Sequence, residues 1–482
     1  MSIRRFRRRR SLLRGLGAIA LGATAAPLLR AAERAPASPP EGLAVGGEVY
    51  ARGAERYEIM RQSAAWQALK PARYPDLIVQ PRDEADVVET VRYAAARGMH
   101  VAVRSGGHSY VVAGLRDGGI HLDLSWLRDL DIDAAARRVT AGPAIRAAEL
   151  TTALEAQGLA FPVAHVGTVG LGGYLLGGGM GWNGEYWNRY ACFNVRAVDL
   201  VTAAGERLTA SAASHPDLYW AARGAGPGFC AVATRFHLDA FPLPRAITAS
   251  TYVYGLDALD AVTAWLERAG RNHHPKVELS LVLERDDTEA ARHVAVVSAV
   301  CFADGAEEAQ QILGALAAGV PRQGLVDHVE LKPVGFPELL EHGRTGVPRR
   351  IAVDTVWTAQ PRAAMLEIGA HYLQVPSRHA VVIGGYRAQV DLPDDAAFTV
   401  QAPLFINCFV GWDEAADDAA NLAWLDQAVR RLEPLTVGSY INETDLFARP
   451  AHAKRALSPA AWERLAAVRG RYDPEGLFAA PI

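Results

Sequence analysis

Two glycine-rich clusters carry most of the chemical information in this chain: Arg104-Ser105-Gly106-Gly107-His108-Ser109, and the run from Gly170 to Gly181. Glycine lets a backbone pass close to a bulky ligand and turn successive N–H groups toward phosphate oxygens. One such cluster is a common turn. Two of them, the first ending in an imidazole, point to a large dinucleotide threaded between two loops. The spacing fits neither of the usual phosphate-binding fingerprints. No G-x-G-x-x-G opens a helix with an acid about 20 residues on, and no Gly-Lys-Ser/Thr follows a glycine loop. No HExxH or clustered Cys/His pattern supports a catalytic metal, and His371 and His379 read as structural.

The elements that must hold these loops alternate between strand and helix. Apolar residues at helical spacing (Val87, Val88, Val91, Ala94, Ala95) follow an acidic start at Asp83, and Gly98 stops the helix. A strand over 100–104 then feeds the first glycine loop. Short strands are expected at 120–124 and 139–141, a helix at 145–157, strands at 198–203 and 230–239, and a short helix at 216–222. After Pro242-Leu243-Pro244 the pattern changes. Strands near 247–254, 277–284, 293–302, 351–358, 379–390 and 403–411 mix with helices near 257–269, 305–317, 361–374 and 414–432. Long antiparallel strands with helices on one side indicate an α+β domain.

A chain of 482 residues exceeds one ordinary core, so two or three domains are expected. The net charge of −3 argues against a nucleic-acid binder, which needs a basic face. Positive charge gathers instead in Arg4–Arg10, ahead of an apolar stretch over 12–26. That order, with small residues at Ala23-Thr24-Ala25 or Ala35-Pro36-Ala37 for cleavage, reads as an export signal. Arg9-Arg10-Ser11-Leu12-Leu13 fits a twin-arginine pattern, so periplasmic or secreted localisation and a partnership with the twin-arginine export machinery are expected. The apolar run is short of the ~20 residues of a membrane span, so no stable membrane anchor is expected. Cys192, Cys230, Cys301 and Cys408 suggest neither a disulfide framework nor a zinc site.

The run Val103-Arg104-Ser105-Gly106-Gly107-His108-Ser109 resembles the covalent-flavin loop of the vanillyl-alcohol-oxidase superfamily, with its PCMH-type FAD-binding domain. The nearest branch is the berberine-bridge-enzyme-like oxidases. Tyr74-Pro75-Asp76-Leu77-Ile78-Val79-Gln80-Pro81, the segment His215–Gly224, Tyr440-Ile441-Asn442 and the terminal Tyr472-Asp473-Pro474-Glu475-Gly476-Leu477-Phe478 resemble further family signatures in order. The resemblance implies an α+β fold: an FAD-binding domain over 55–245, a substrate domain with an antiparallel sheet over 246–436, and a return to the FAD domain over 437–482. Residues 1–37 would be signal and linker. It implies an FAD-dependent oxidase that takes hydride from a C–OH or C–N bond of a small molecule and passes electrons to dioxygen, giving hydrogen peroxide. A dehydrogenase serving a periplasmic acceptor, or a flavin-binding protein of little turnover, are the competing readings.

The same resemblance assigns residues. His108 would bond covalently to the flavin, while Arg104, Ser105, Gly106, Gly107 and Ser109 hold the pyrophosphate and ribityl groups. Aligning Thr168-Val169-Gly170 with the family's Cys-Pro-Thr-Val-Gly puts Val166 where many relatives have a second, cysteinyl link, so a single link is expected. Val169 would line the pocket where dioxygen meets reduced flavin, and its small size leans toward an oxidase. Gly172, Gly173, Tyr174, Gly177, Gly178 and Gly181 complete the second loop. For Tyr174 two readings stand: a hydrogen bond to the ribityl or pyrimidine edge, or simple packing. Asn194 and Val201 are expected to contact the cofactor, and Asn442 the isoalloxazine. For the base, Glu443 stands where many relatives carry tyrosine, with Tyr440 and Tyr386 as the other candidates. Gln389 and Asn407 lie on strands whose alternation reaches the flavin on one face.

Overall fold

The computed structural model describes residues 40–286, 291–341, 349–388 and 391–480. The N-terminal export-type segment and Gln389 lie outside the described residues.

Besides a two-stranded ribbon of Leu159–Ala160 with Phe241–Pro242, the first half of the chain builds two larger sheets. The smaller has four strands in the order Glu48–Ala51, Leu77–Gln80, Ile120–Asp123, Val101–Arg104. Its last three are parallel, and parallel pairing needs a crossover that covers the sheet. The helix Glu84–Ala96 is that crossover. Asp83 caps it by accepting from the backbone N–H groups of Ala85 and Asp86. Its apolar face, Val87, Val88, Val91 and Ala94, packs on Leu77, Val79 and Leu122. The second sheet is antiparallel, with five strands in the order Leu130–Asp133, Arg138–Ala141, Val232–Asp239, Val195–Val201, Arg207–Ser211.

From Ala246 the chain enters a seven-stranded antiparallel sheet. Its order is Leu325–Val334, Ala246–Gly255, His293–Ala303, Val277–Arg285, Val381–Tyr386, Leu404–Trp412, Arg350–Thr358. The helices Leu259–Asn272, Ala306–Ala317, Pro361–Tyr372 and Asp418–Leu432 bury against one face, on Leu279, Leu281, Val382, Ile406 and Cys408. The strand Leu325–Val334 was not expected. It is an edge strand of mostly exposed residues, so it shows no apolar alternation, and its charges suit an edge that must resist further pairing.

The chain then returns. Trp357 and Gly438 bridge the sheet's last strand to the C-terminal segment, and Phe478 pairs in parallel with Val101 of the first sheet. Val101 N–H donates to Leu477 O (2.7 Å) and Ala479 N–H to Val101 O (3.0 Å). The strand that feeds the first glycine loop is thereby held from both sides. No helix among the described residues is long and apolar enough to cross a membrane.

Candidate active site

The two glycine clusters meet. A Cβ placed on Gly106 would lie 2.5 Å from Gly170 Cα, and one on Gly170 would lie 2.5 Å from Gly106 Cα. Only two glycines allow backbones this close. Gly172 sits against Ser105, where a Cβ would come within 2.8 Å of Oγ, and Gly173 N–H donates to that same Oγ (3.2 Å). Gly107 has φ +70°, a left-handed turn that folds it onto the Arg104 guanidinium. Arg104 Nη1 donates to Asp123 Oδ1 (2.5 Å), while its Nε is buried without a partner.

Above the crossing lies a cavity of about 340 Å³, walled by both glycine loops below and by the helix-free face of the seven-stranded sheet above. Arg104, Ser105, Gly106, Gly107, His108 and Ser109 line it, as do Val166, Val169, Gly172, Gly173 and Tyr174. His108 Nε2 is 3.0 Å from Thr168 Oγ1, so the second loop orients the ring that ends the first. The Trp66 indole stacks on that ring with centroids 4.9 Å apart, and its Nε1–H donates to His108 O (3.1 Å). Burial lowers the His108 pKa to about 4, which keeps the imidazole neutral at physiological pH.

The C-terminal segment supplies the far wall. Tyr440, Asn442 and Glu443 all face the cavity. The Tyr440 hydroxyl accepts from Gly179 N–H (3.2 Å), Met180 N–H (3.4 Å) and Asn442 Nδ2 (3.1 Å), and burial raises its pKa. Three donors converge on this oxygen, so it serves as an anchor for the second loop. Glu443 Oε2 accepts from Asn407 Nδ2 (2.8 Å). Burial raises the Glu443 pKa, opposed in part by that bond and by His165. A half-buried carboxylate with a raised pKa on a cavity wall is suited to proton transfer.

Several expected residues lie elsewhere. Tyr386 points away from the cavity. On its strand Ile383, Gly385 and Arg387 face the cavity, so Val382, Gly384 and Tyr386 face the helices, with Tyr386 against Gly270. Asn194 is buried outside the cavity wall, its Nδ2 donating to Trp187 O (3.2 Å). Val201 is fully buried with Val232, its backbone committed to strand pairing on both sides. Gly177, Gly178 and Gly181 make close packing instead of cavity wall: a Cβ there would strike Asn442, Phe398 and Val163, respectively. The Tyr174 hydroxyl donates to Pro162 O (2.6 Å), which favours the packing reading. Thr168 acts through His108.

The cavity residues that escaped the sequence reading include His165, Glu278 and Arg387. Glu278 Oε1 pairs with His165 Nε2, joining the two halves of the molecule. Charged residues on a strand read as solvent-facing. The signal was Val277-Glu278-Leu279-Ser280-Leu281, an alternation whose polar face is covered by the other half of the chain. All four cysteines are free and buried, and none lines the cavity.

Comparison with known proteins agrees with this geometry. Residues 75–211, which hold both glycine loops, match the FAD-binding-domain family. An FAD-linked oxidoreductase of Hypoxylon pulicicidum, nodO, is 30% identical over 413 residues, covering 84% of this chain and 90% of that protein. The chain belongs to the FAD-linked oxidoreductases. Within this family a shorter stretch of 175 residues, 36% of this chain and 38% of that protein, is 36% identical to the (R)-6-hydroxynicotine oxidase of Paenarthrobacter nicotinovorans. The fold is also that of 6-hydroxy-D-nicotine oxidase from Arthrobacter nicotinovorans (TM-score 0.79, 23% identity, covering 92% of this chain and 98% of that one). The BBE-like 1 protein of Physcomitrella patens shares it too, with TM-score 0.76 and 19% identity over 91% of this chain and 96% of that one.

The cavity fits the FAD that the family implies. Its wall includes Phe229, Ala231 and Phe478, both loops of the glycine crossing, and Asn407 and Phe409 of the seven-stranded sheet. Arg104 brings an unspent buried N–H to its floor, and a side chain at Gly106 or Gly170 would force the crossing apart. Among the described residues no cluster could hold a metal ion.

Proposed function

We propose that this protein is an exported FAD-dependent oxidase acting on a C–OH or C–N bond of a small organic molecule. FAD, when bound, would supply the hydride acceptor and, through dioxygen, the route to hydrogen peroxide. The observation that carries the reading is that Glu443 lines the same cavity as His108, its carboxylate held by Asn407. Glu443 takes the proton of the substrate's O–H or N–H group, its raised pKa bringing it nearer to physiological pH. Asn407 holds the carboxylate in place. Apolar side chains of Phe405, Phe409 and Ile383 shield the site from water.

Attachment of the flavin through His108 is part of the proposal. If Nε2–H donates to Thr168, the nitrogen left with a free lone pair is Nδ1, and the depressed pKa keeps it unprotonated. The link is single, since Val166 occupies the second position and no thiol lines the cavity. The small Val169 in the cavity wall favours oxygen as acceptor. Export rests on the basic and apolar N-terminal pattern alone.

The test is anaerobic bleaching of the purified protein's flavin by a panel of sugars, alcohols, amines and phenolic alcohols, followed by air. Rapid colour return with peroxide is the expected result. Slow return would instead favour a dehydrogenase, and no bleaching by any member would overturn the oxidase reading.

A further inference from the structure

The sheet face above the cavity is uneven. Ser280, Gly385 and Phe405 stand side by side on three neighbouring strands. A Cβ built on Gly385 would meet only Arg387 Nη2 at 3.9 Å and Phe405 O at 4.0 Å, so the glycine leaves a notch in the wall. Two residues along, past the Leu279–Tyr386 pair, Glu278 and Arg387 close the notch at its end. Two residues the other way on the neighbouring strand stands Asn407, which holds Glu443.

The polar atoms around this notch are unspent. Glu278 Oε2, Ser280 Oγ, Arg387 Nε and Asn407 Oδ1 are buried without a hydrogen-bond partner. Leaving a buried polar atom unpaired costs about 1–3 kcal/mol, so a cluster of such atoms implies a ligand that pairs with them. The charges say which kind. Burial opposes the charge on Arg387, yet the nearby carboxylates of Glu278 and Glu185 raise its pKa, so its positive charge is already answered. A ligand carboxylate would gain little from it and would meet the free oxygen of Glu278. Glu278 Oε2 and Asn407 Oδ1 are acceptors only, and the Ser280 hydroxyl can accept as well.

We propose that the notch over Gly385 is the specificity subsite of this active site, binding the end of the substrate that is not oxidised. It selects a group bearing O–H or N–H donors over a carboxylate or a hydrocarbon. The proposal rests on the oxidoreductase reading of Glu443 for its orientation. Gly385 sets how large that group can be, and Glu278 sets its hydrogen-bonding character.

Benzyl alcohols provide a matched test, since the oxidisable end stays fixed while the para substituent changes. Hydroxyl, amino, carboxylate and methyl derivatives are titrated into the flavin-loaded wild type, Glu278→Gln and Gly385→Val. Binding is read from the flavin absorbance and turnover from anaerobic bleaching. The hydroxyl or amino compound should bind at least about tenfold more tightly than the carboxylate and methyl compounds. The order between the hydroxyl and amino compounds tells an O–H end from an N–H end. Glu278→Gln should compress the ranking mainly through KM, and Gly385→Val should weaken every para-substituted compound more than benzyl alcohol itself. Equal or inverted ranking, failure of every donor-bearing compound to bind, or a ranking untouched in Glu278→Gln overturns the subsite. Binding in the expected order without bleaching counts against the redox reading and leaves the subsite standing. Bleaching in the inverted order does the reverse.

Discussion

Asn407 and Glu443 meet across the cavity wall, the Asn407 Nδ2–H donating to Glu443 Oε2 over 2.8 Å. One residue comes from the central sheet and the other from the returning C-terminal segment, so the bond spans the two halves of the site. A hydrogen bond to the ionised form favours that form. Asn407 therefore works against the burial that raises the Glu443 pKa. In Asn407→Ala the pKa should climb further. A base acts when deprotonated, so the ascending limb of kcat/KM against pH should move to higher pH, with a lower rate at neutrality. Glu443→Gln should cost roughly 10²–10⁴-fold at all pH values. An Asn407→Ala limb that stays in place would remove Glu443 as the base.

The glycine crossing makes a sharper prediction about cofactor binding. In Gly170→Ala the new methyl would stand 2.5 Å from Gly106 Cα, and neither backbone has a side chain to move aside. Overpacking of this kind costs about 1–3 kcal/mol, here concentrated in the loops that floor the cavity. The variant should purify with less flavin per chain and a lower melting temperature. Gly314→Ala, in a helix where nothing lies within 4 Å, should keep its flavin and gain slightly in stability. Full flavin content in Gly170→Ala would mean the loops do not cradle the cofactor.

The parts of this site that were legible in the sequence were those written in residue type. Glycine where backbones touch, a histidine ending a glycine loop and Glu443 after Tyr440-Ile441-Asn442 need no register to be read. Tyr386 failed because a strand flips its side chains with every residue, and Arg387, its neighbour, holds the cavity position instead. Glu278 and His165 failed for another reason. Each lies in a separate half of the chain, and their pairing exists only once the halves close on each other. The strand Leu325–Val334 was hidden because an exposed edge has no buried face to pattern.

A buried polar knot ties the C-terminal segment to the sheet and so holds Tyr440 and Glu443 in place. Asp354, with no exposed side-chain surface, accepts from Thr444 Oγ1 and Arg449 Nε (both 2.5 Å) and lies 3.4 Å from His452 Nε2. Removing one member of a buried charged set costs about 3–5 kcal/mol, because the rest stay buried unpaired. Asp354→Asn should lower the melting temperature and loosen flavin binding. The pH dependence follows from the shifts. Burial alone would raise the Asp354 pKa, but its partners bring it below the ordinary value. Its contribution is therefore present above about pH 3.9 and is lost as pH falls through the folded pKa. Burial opposes the charge on His452, yet Asp354 raises its pKa. That contribution is full below about pH 6.5 and is lost as pH rises through the folded pKa. The stability gap between wild type and His452→Gln should accordingly be widest between about pH 4 and 6.5 and narrow in alkali. A gap that widens in alkali would contradict the ion pair.

The last prediction concerns how the flavin is held. Thr168 orients the His108 ring at 3.0 Å, Trp66 stacks on it, and burial keeps it neutral at a pKa of about 4. Each of these would favour attachment of the flavin to this ring. Wild-type protein denatured in acid should therefore stay yellow and fluoresce as a flavin on a gel, whereas His108→Ala should release its colour. Thr168→Val keeps the imidazole but loses its orienting hydroxyl, so a smaller share of chains should carry bound flavin, rising with time of incubation with FAD. If wild type loses its colour on denaturation, the link is absent and the neutral, stacked His108 serves only to floor the cavity. Complete attachment in Thr168→Val would confine the orienting role to Trp66.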